Sequence, residues 1–318
     1  MSSVKNYLSL IKFSHTIFAM PFAVIGFSLA TLYVIPLKYL LESPFEFYIE
    51  GKTIFGLNPM LKFYLKTFFF VILCMVFARS AAMAFNRWAD HKFDKENVRT
   101  KIREIPSGVI PSTNALVFVI INSLLFILTT YFINSICFYL SPVALLVILG
   151  YSYTKRFTPL CHLVLGLGLS LAPIGAFLAV TGVFKLLPVL YSLVVLFWVS
   201  GFDIIYALQD EEFDRSQGLR SIPVLLGKKN ALRLSRVFHL AAASVVLYSG
   251  YAAGFHLWYW IGSGIFISLL AYQHTLVKPA DLSKVNLAFF TTNGIASVVF
   301  AVFFLLELFL CAGWHQLS

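Results

Sequence analysis

Charge is scarce in this chain: only 12% of its residues are charged, and just 14 of the 318 are acidic. Soluble globular domains carry about twice that charged fraction, roughly 25%. Hydrophobic residues make up 59% of the chain, and the mean hydropathy is +0.85. The composition therefore excludes an ordinary soluble domain and predicts an integral membrane protein.

The chain also lacks the cysteine patterns of disulfide frameworks and thiolate metal sites. Its four cysteines are scattered, and no two have CxxC spacing, so we expect them to be small buried side chains. No small-residue cleavage site follows the first apolar stretch. That stretch is therefore predicted to be a retained membrane span and not a signal peptide.

What the chain has instead is a series of apolar segments of about 20 residues, the length needed to cross a bilayer. They predict an all-α integral membrane protein, in a single domain at 1–318, with nine transmembrane helices around a central cavity. The approximate spans are 14–35, 63–85, 114–133, 135–152, 160–182, 187–208, 231–253, 256–276 and 286–311. An external insert at about 36–62 carries Glu42, Glu46 and Glu50, whose spacing favours one face of a surface helix.

Lysine and arginine are distributed unevenly between the two sides of these spans. Most of the 24 basic residues lie near the N-terminus or in the loops after spans two, four, six and eight, and such residues favour the cytoplasmic side. We therefore expect a bacterial inner-membrane protein with a cytoplasmic N-terminus, cytoplasmic loops at about 86–113 and 209–230, and an outside C-terminus. This asymmetry explains the net charge of +10, and no motif indicates a nucleic-acid partner.

Two aspartate clusters contrast with the low overall charge, one in each of these cytoplasmic loops. The first contains Asn86, Asp90 and Asp94. Because successive residues of a helix turn by about 100°, this spacing places the three side chains on one stripe, with Arg79 deeper on the same stripe. Lipid would not solvate such a stripe, so it is expected to face the protein interior.

The second cluster runs from Asp203 to Asp210 and Asp214, with Tyr206 one turn from the first two. Each cluster begins at a helix end and is followed by basic residues and an Ile-Pro step, and four spans separate the two. The pattern predicts two pseudo-repeated halves that face each other, and such repeats place functional sites at their interface.

Carboxylates that converge on one cavity repel one another and need cations. Mg²⁺ prefers a few carboxylates together with phosphate oxygens, so the clusters predict Mg²⁺ bound to a substrate diphosphate. The predicted metal ligands are Asp90, Asp94, Asp210 and Asp214. Nearby bases, including Lys155, Arg156 and Arg103, are candidates for direct phosphate contacts, although Arg103 has anchoring to lipid headgroups as an alternative.

These motifs resemble those of the UbiA superfamily of intramembrane aromatic prenyltransferases. The two clusters are similar to the family's NDxxDxxxD and DxxYxxxDxxxD motifs. Tyr151, Lys155 and Arg156 resemble its YxxxKR element, and Arg79 resembles its arginine on the first motif's helix. Arg87 is a departure, because the motif has an acidic residue after its asparagine; such forms are similar to a 4-hydroxybenzoate polyprenyltransferase-like branch.

The resemblance implies Mg²⁺-dependent transfer of a polyprenyl group from polyprenyl diphosphate to an aromatic acceptor, within membrane lipid, for ubiquinone or menaquinone biosynthesis. The expected acceptor is 4-hydroxybenzoate or a related hydroxyaryl carboxylate. The implied diphosphate ligands are Lys155, Arg156, Asn86 and Arg103. The implied catalytic residues are Asp203, Tyr206 and Lys155. The residues expected to bind the acceptor are Arg79, Lys12 and His15.

Two alternatives stay open at this point. One keeps the family and changes the acceptor to dihydroxynaphthoate, haem, chlorophyllide or homogentisate. The other is a divalent-cation transporter, which predicts acidic residues nearer mid-span and on both faces of the membrane. In this chain the clustered aspartates lie toward one face and are flanked by bases, a pattern that phosphate chemistry explains and cation transport does not.

Overall fold

The computed structural model describes residues 3–11, 19–32, 45–49, 52–56 and 59–311. Most of this part is helical. The helices are α1 (Ser3–Leu10), α2 (Met20–Leu32), α3 (Pro59–Ala89), α4 (His91–Glu96), α5 (Ser112–Tyr131), α6 (Ser135–Thr154), α7 (Cys161–Thr181), α8 (Leu186–Ala207), α9 (Glu211–Ser216), α10 (Ile222–Ala252), α11 (Leu257–Leu276) and α12 (Asn293–Leu310). A 3₁₀ turn, Leu208–Asp210, precedes α9, and a π-helical turn, Leu287–Thr292, precedes α12.

Seven helices in the described part of the chain are long and apolar enough to cross a membrane. They are α3, α5, α6, α7, α8 with its continuation to Ser216, α10, and α12 with its preceding turn. The first predicted span corresponds to the shorter apolar helix α2, and the eighth corresponds to α11. The helical membrane fold is thus confirmed, with seven of the nine predicted spans meeting these criteria.

A small hairpin occupies part of the insert. Strands β1 (Phe45–Ile49) and β2 (Lys52–Gly56) pair antiparallel, with Phe45 opposite Gly56. The surface helix expected through Glu46 is therefore wrong, because Glu46 lies in β1; Glu42 and Glu50 fall outside the described residues. The strand sequences FEFYI and KTIFG are rich in the aromatic and β-branched residues that favour strands.

The core is aromatic and lies among α2, α8, α11 and α12. Trp198, Tyr259, Phe266 and Phe300 are fully buried there. The Trp198 Nε1 donates to Asn293 Oδ1 at 2.9 Å, so the indole N–H has the partner that a buried donor requires. This packing fixes α8, the helix that carries Asp203 and leads into the rest of the second cluster.

Two glycines allow geometry that other residues would disturb. A Cβ on Gly26 would lie 2.0 Å from the Pro173 carbonyl oxygen, so α2 packs directly against α7. Gly227 has φ +71° and kinks α10 near its start, a conformation that side chains disfavour. The kink sets the direction of the first turns of α10, which border the second aspartate cluster.

Candidate active site

The two aspartate clusters lie at the same end of the helical bundle, where Arg99 joins them. Arg99 follows the first cluster, yet its Nη2 donates to both carboxylate oxygens of Asp210, at 2.9 and 2.6 Å. Its Nε also donates to Asp210, at 3.2 Å, and its Nη1 donates to the Tyr206 hydroxyl at 3.0 Å. The loop after the first cluster therefore contacts the second cluster directly.

Lys155 and Arg156, which follow α6, make a second connection. The Lys155 Nζ lies 2.6 Å from Asp214 Oδ1, and the Arg156 Nη2 lies 3.5 Å from Asp90 Oδ1. Burial lowers the pKa of Lys155, but Asp214 and Asp210 stabilise its charge, and the net shift is upward. Adjacent residues of one helix end thus bind an aspartate from each cluster.

Each cluster is built the same way. A long helix ends, one aspartate occupies the break, and a six-residue helix carries the last aspartate. Asp90, between α3 and α4, has φ −92° and ψ 4°, and Asp210, before α9, has φ −103° and ψ 4°. The break at Asp90 preserves the predicted stripe, because the Asp90 amide still donates to Asn86 O at 3.0 Å and the Asp94 amide donates to Asp90 O at 2.8 Å.

The other polar contacts of the first cluster are made within its own loop. The Asn86 Nδ2 donates to Asp90 Oδ2 at 3.2 Å. Arg103 Nη1 donates to both oxygens of the buried Asp94, at 2.7 and 2.8 Å. The loop therefore folds back so that its base offsets its most buried carboxylate.

Arg87, the departure from the family motif, has a structural partner. Its side chain is 4% exposed, and its Nη1 lies 3.6 Å from Glu104 Oε2. Glu104 in turn accepts a hydrogen bond from the Ser9 hydroxyl of α1. A buried cation needs such an acidic partner, so Arg87 holds α3, the loop after α4 and α1 together.

The carboxylates have the chemistry of a divalent-cation site. Burial and the neighbouring Asp94 raise the pKa of Asp90 to about 6, while Lys155 and Arg156 oppose the rise. The Oδ2 of Asp214 is buried and has no hydrogen-bond partner in the described part of the chain. A repelled carboxylate and an unpartnered buried oxygen both fit a cation with hard oxygen ligands.

The cation ligands are not, however, gathered in advance. Among the described residues, no three of the four aspartates offer oxygens within 4.8 Å of one another. Each is held by a base instead, as the pairs Asp90–Arg156, Asp94–Arg103, Asp210–Arg99 and Asp214–Lys155. The donor set has the chemistry of a Mg²⁺ site, with a base paired to each carboxylate.

Asp203 lies deeper on α8 and binds a histidine. The Nδ1 of His162 is 2.7 Å from Asp203 Oδ2. One turn further along α8, the ring of Tyr206 lies 4.2 Å from that of Phe289, measured between centroids, and near Phe290. A carboxylate and a group of aromatic rings therefore lie below the bases and the outer aspartates.

Of the three predicted acceptor-binding residues, the structure describes one. Arg79 has a buried Nε without a hydrogen-bond partner among the described residues. Lys12 and His15 lie outside the described residues. The sequence analysis does not identify His162. The available signal is an ionisable side chain within an apolar span, which marks a functional candidate.

One further group of metal-capable side chains lies at the other end of α12. His256, Glu307 and Cys311 offer ligand atoms within 4.8 Å of one another. The Glu307 carboxylate already accepts from the His256 and Tyr259 amides, at 2.6 and 3.3 Å. These amides open α11, so Glu307 acts as a cap for that helix.

Comparison with known proteins places this chain in a family. The sequence matches the UbiA prenyltransferase family over residues 54–313. It is 30% identical to the 4-hydroxybenzoate octaprenyltransferase of Nitrosomonas eutropha over 230 residues, which cover 72% of this chain and 80% of that protein. The corresponding enzyme of Nitrosomonas europaea is 31% identical over 238 residues, covering 75% and 81%.

Solved structures agree. An apo UbiA homologue from Aeropyrum pernix K1 has a TM-score of 0.75 and 29% identity, covering 92% of this chain and 98% of its own. A UbiA homologue from Archaeoglobus fulgidus bound to DMAPP and Mg²⁺ shares the fold, with a TM-score of 0.70, 19% identity and coverage of 95% and 99%. The chain is therefore an integral membrane transferase that belongs to the UbiA prenyltransferase family.

Proposed function

We propose that this protein transfers a polyprenyl group from a polyprenyl diphosphate to 4-hydroxybenzoate, or to a related hydroxyaryl carboxylate, in quinone biosynthesis. The observation that carries the proposal is the meeting of four aspartates and four bases, from separate loops, at one end of an apolar bundle. The choice of acceptor is supported by the relatives at about 30% identity, which are 4-hydroxybenzoate octaprenyltransferases.

In this proposal the outer aspartates hold the cation. The residues are Asp90, Asp94, Asp210 and Asp214. When bound, Mg²⁺ supplies Lewis-acid stabilisation of the leaving diphosphate. The buried Oδ2 of Asp214 supports this role, because it has no hydrogen-bond partner among the described residues, and such an oxygen is costly unless a ligand satisfies it.

The bases that now offset these aspartates would bind the diphosphate. Lys155, Arg156 and Arg103 each contact one carboxylate, so they already lie at the cation site. With a cation held by the aspartates, these side chains would be the donors to phosphate oxygens, for which guanidinium groups are well suited. Asn86, held against Asp90, adds an uncharged amide donor, and Lys155 would also offset the charge that builds on the leaving group.

The allylic C–O bond breaks, and its electron pair stays on the diphosphate. The ring of Tyr206, packed on Phe289, shields the allylic cation by a cation–π interaction. A carbon of the acceptor ring forms the new C–C bond, and its proton leaves to the Asp203 carboxylate, which restores the aromatic ring.

Arg79 is the proposed partner of the acceptor carboxylate. It lies seven residues, or about 10 Å along the helix, below Asn86. Its buried Nε without a hydrogen-bond partner in the described part of the chain is a donor that a carboxylate would satisfy. Lys12 and His15 are proposed to add to this site from the first span.

We also propose the finer architecture that the sequence predicts: nine spans, two pseudo-repeated halves and cytoplasmic active-site loops. The matching backbone breaks at Asp90 and Asp210 support the repeat. For α11, the polar side chains of Ser263 and Gln273 are fully buried, so they lower its hydropathy without facing lipid. Such a helix can span a membrane when its polar groups face its neighbours.

The test is prenyl transfer by the purified protein in lipid vesicles. The vesicles contain Mg²⁺, a radiolabelled polyprenyl diphosphate and one acceptor from a panel that includes 4-hydroxybenzoate, dihydroxynaphthoate and homogentisate. We expect prenylated 4-hydroxybenzoate, loss of product with EDTA, and recovery with excess Mg²⁺. Asp90→Ala and Asp210→Ala should each abolish transfer while the protein remains folded.

Glu212→Ala is the matched control, because Glu212 is an acid at the same end of the bundle and its side chain is 91% exposed. It should leave the rate unchanged. Wild-type rates in Asp90→Ala or Asp210→Ala would contradict the metal role. No product with 4-hydroxybenzoate but product with another acceptor would reassign the substrate, and Mg²⁺ flux without any product would support the transporter alternative.

A further inference from the structure

Asp203 differs from the other four clustered aspartates in its partner. The four outer aspartates each contact an arginine or a lysine. Asp203 instead contacts His162, and it makes no ion pair with a lysine or arginine of the described residues. It also lies about two helical turns below Asp210 on α8, away from the diphosphate site and toward the proposed acceptor site.

The contacts of His162 define which ring nitrogen carries a proton. His162 is 2% exposed at the start of α7. Its Nε2 faces the amide of Ile222, the first residue of α10, at 3.4 Å. An amide only donates, so Nε2 accepts, and the proton of a neutral imidazole therefore lies on Nδ1. A second proton on Nε2 would point a donor at a donor, at the positive end of α10.

In the tautomer that the Ile222 contact favours, Asp203 receives a hydrogen bond from a neutral imidazole. His162 Nδ1–H donates to Oδ2 at 2.7 Å, and the side chain of Asp203 is still 18% exposed. A guanidinium partner would stabilise the carboxylate charge and weaken its affinity for a proton, whereas a neutral donor does so less. The pair therefore holds one oxygen in place and leaves the other oxygen, Oδ1, able to accept a proton.

We infer that His162 is a positioning residue that orients Asp203 toward the aromatic acceptor and keeps it basic enough to take the proton released by the ring. The inference rests on the proposed function and adds the residue that makes Asp203 competent for this step. The diphosphate leaves with the C–O electron pair, the ring gains the prenyl carbon, and the ring C–H proton passes to Asp203 Oδ1. His162 keeps its own proton throughout.

Three substitutions separate this role from simple packing. In His162→Asn the amide nitrogen takes the place of Nδ1, so donation to Asp203 is retained. In His162→Gln the amide oxygen takes the place of Nε2, so only the contact with Ile222 is retained. His162→Leu removes both. His274→Leu is the control for structural damage, because it breaks a buried hydrogen bond to His239, at 3.0 Å, in the same bundle.

The measurements are kcat and KM for 4-hydroxybenzoate, KM for the polyprenyl diphosphate, and melting temperature in detergent. Losing a hydrogen bond to a charged group lowers the acceptor kcat/KM by roughly 10- to 100-fold, and we expect this for His162→Leu and His162→Gln. The diphosphate KM should stay within about twofold. His162→Asn should recover most of the loss, and His274→Leu should lower only the melting temperature.

Several results would overturn the inference. One is an acceptor kcat/KM in His162→Leu equal to that of the wild type. Another is an acceptor kcat/KM that falls as far in His162→Asn as in His162→Leu and follows the drop in melting temperature of each variant. ¹⁵N spectra of histidine-labelled protein provide a check independent of turnover: they should show His162 protonated at Nδ1 alone, and a doubly protonated ring at neutral pH would contradict the assignment. Absence of product from the wild type with every acceptor would instead contradict the proposed function, and this inference with it.

Discussion

Arg99 occupies the position at Asp210 that a cation needs, so removing it should strengthen Mg²⁺ binding. The Arg99 guanidinium donates to both Asp210 oxygens, at distances down to 2.6 Å. Mg²⁺ can bind Asp210 only after this pair separates. Arg99→Ala removes the competitor and leaves the carboxylate in place.

The size of the effect follows from the exposure and geometry of the pair. The side chain of Arg99 is 38% exposed and that of Asp210 is 16% exposed, so solvent screens the pair and its value lies well below that of a buried ion pair. Its forked, charge-assisted contacts make the Arg99–Asp210 pair more stabilising than an ordinary surface ion pair, at about 1–2 kcal/mol. The Kd for Mg²⁺ should therefore fall by roughly 5- to 30-fold in Arg99→Ala.

Titration calorimetry of the detergent-purified protein with Mg²⁺ alone measures this Kd. A second titration with an unreactive prenyl thiodiphosphate, at saturating Mg²⁺, should show weaker binding in the variant. Arg99 offsets an outer aspartate as Lys155, Arg156 and Arg103 do, so we expect it to donate to the diphosphate as well, and Arg99→Ala lacks this donor. Arg233→Ala is the matched control: it removes an exposed arginine that donates to Asn230 and makes no ion pair with an aspartate among the described residues. An unchanged or weaker Mg²⁺ affinity in Arg99→Ala would refute the idea that Arg99 and the cation compete for Asp210.

Three further substitutions test the packing that supports the site, each by unfolding of the purified protein. Gly26→Ala places a Cβ 2.0 Å from the Pro173 carbonyl oxygen and should cost about 1–3 kcal/mol through overpacking of α2 on α7. Glu307→Gln replaces one acceptor oxygen of the α11 cap by an amide donor that faces backbone N–H groups. It should lower the free energy of unfolding by about 1–3 kcal/mol and leave transfer rates unchanged at permissive temperature. Arg87→Asp puts a second buried acid beside Glu104 and should cost about 3–5 kcal/mol; unchanged stability in any of the three would contradict the packing argument for that residue.

The sequence allowed the general form of the site to be predicted because the determining signals are local. Aspartates spaced by four residues share a helix stripe whatever the tertiary fold, and carboxylates at membrane depth must face inward. The predicted stripe at Asn86, Asp90 and Asp94 therefore holds even though the helix breaks at Asp90. The aromatic and β-branched residues of 45–49 and 52–56 are a local strand signal too, and in this segment they outweigh the four-residue spacing of the glutamates.

Contacts between distant helices were beyond what spacing can indicate. His162 and Asp203 are 41 residues apart and meet only because α7 packs on α8. Glu104 meets Arg87 because the loop after α4 folds back on α3. The number of spans depends on tertiary contacts as well. Helix α11 is not among the seven candidate spans of the described residues, and two of its polar side chains, Ser263 and Gln273, are buried.

The central claim is that aspartates from two separate loops form one cation-dependent diphosphate site. A double-mutant cycle on Asp90 and Asp210 tests it, with Mg²⁺-dependent binding of an unreactive prenyl thiodiphosphate as the measurement. If both residues act through one cation site, Asp90→Asn and Asp210→Asn each lose nearly as much binding free energy as the double variant, since groups acting as a unit are not additive. Losses that simply add, or binding that persists in the double variant, would contradict the claim.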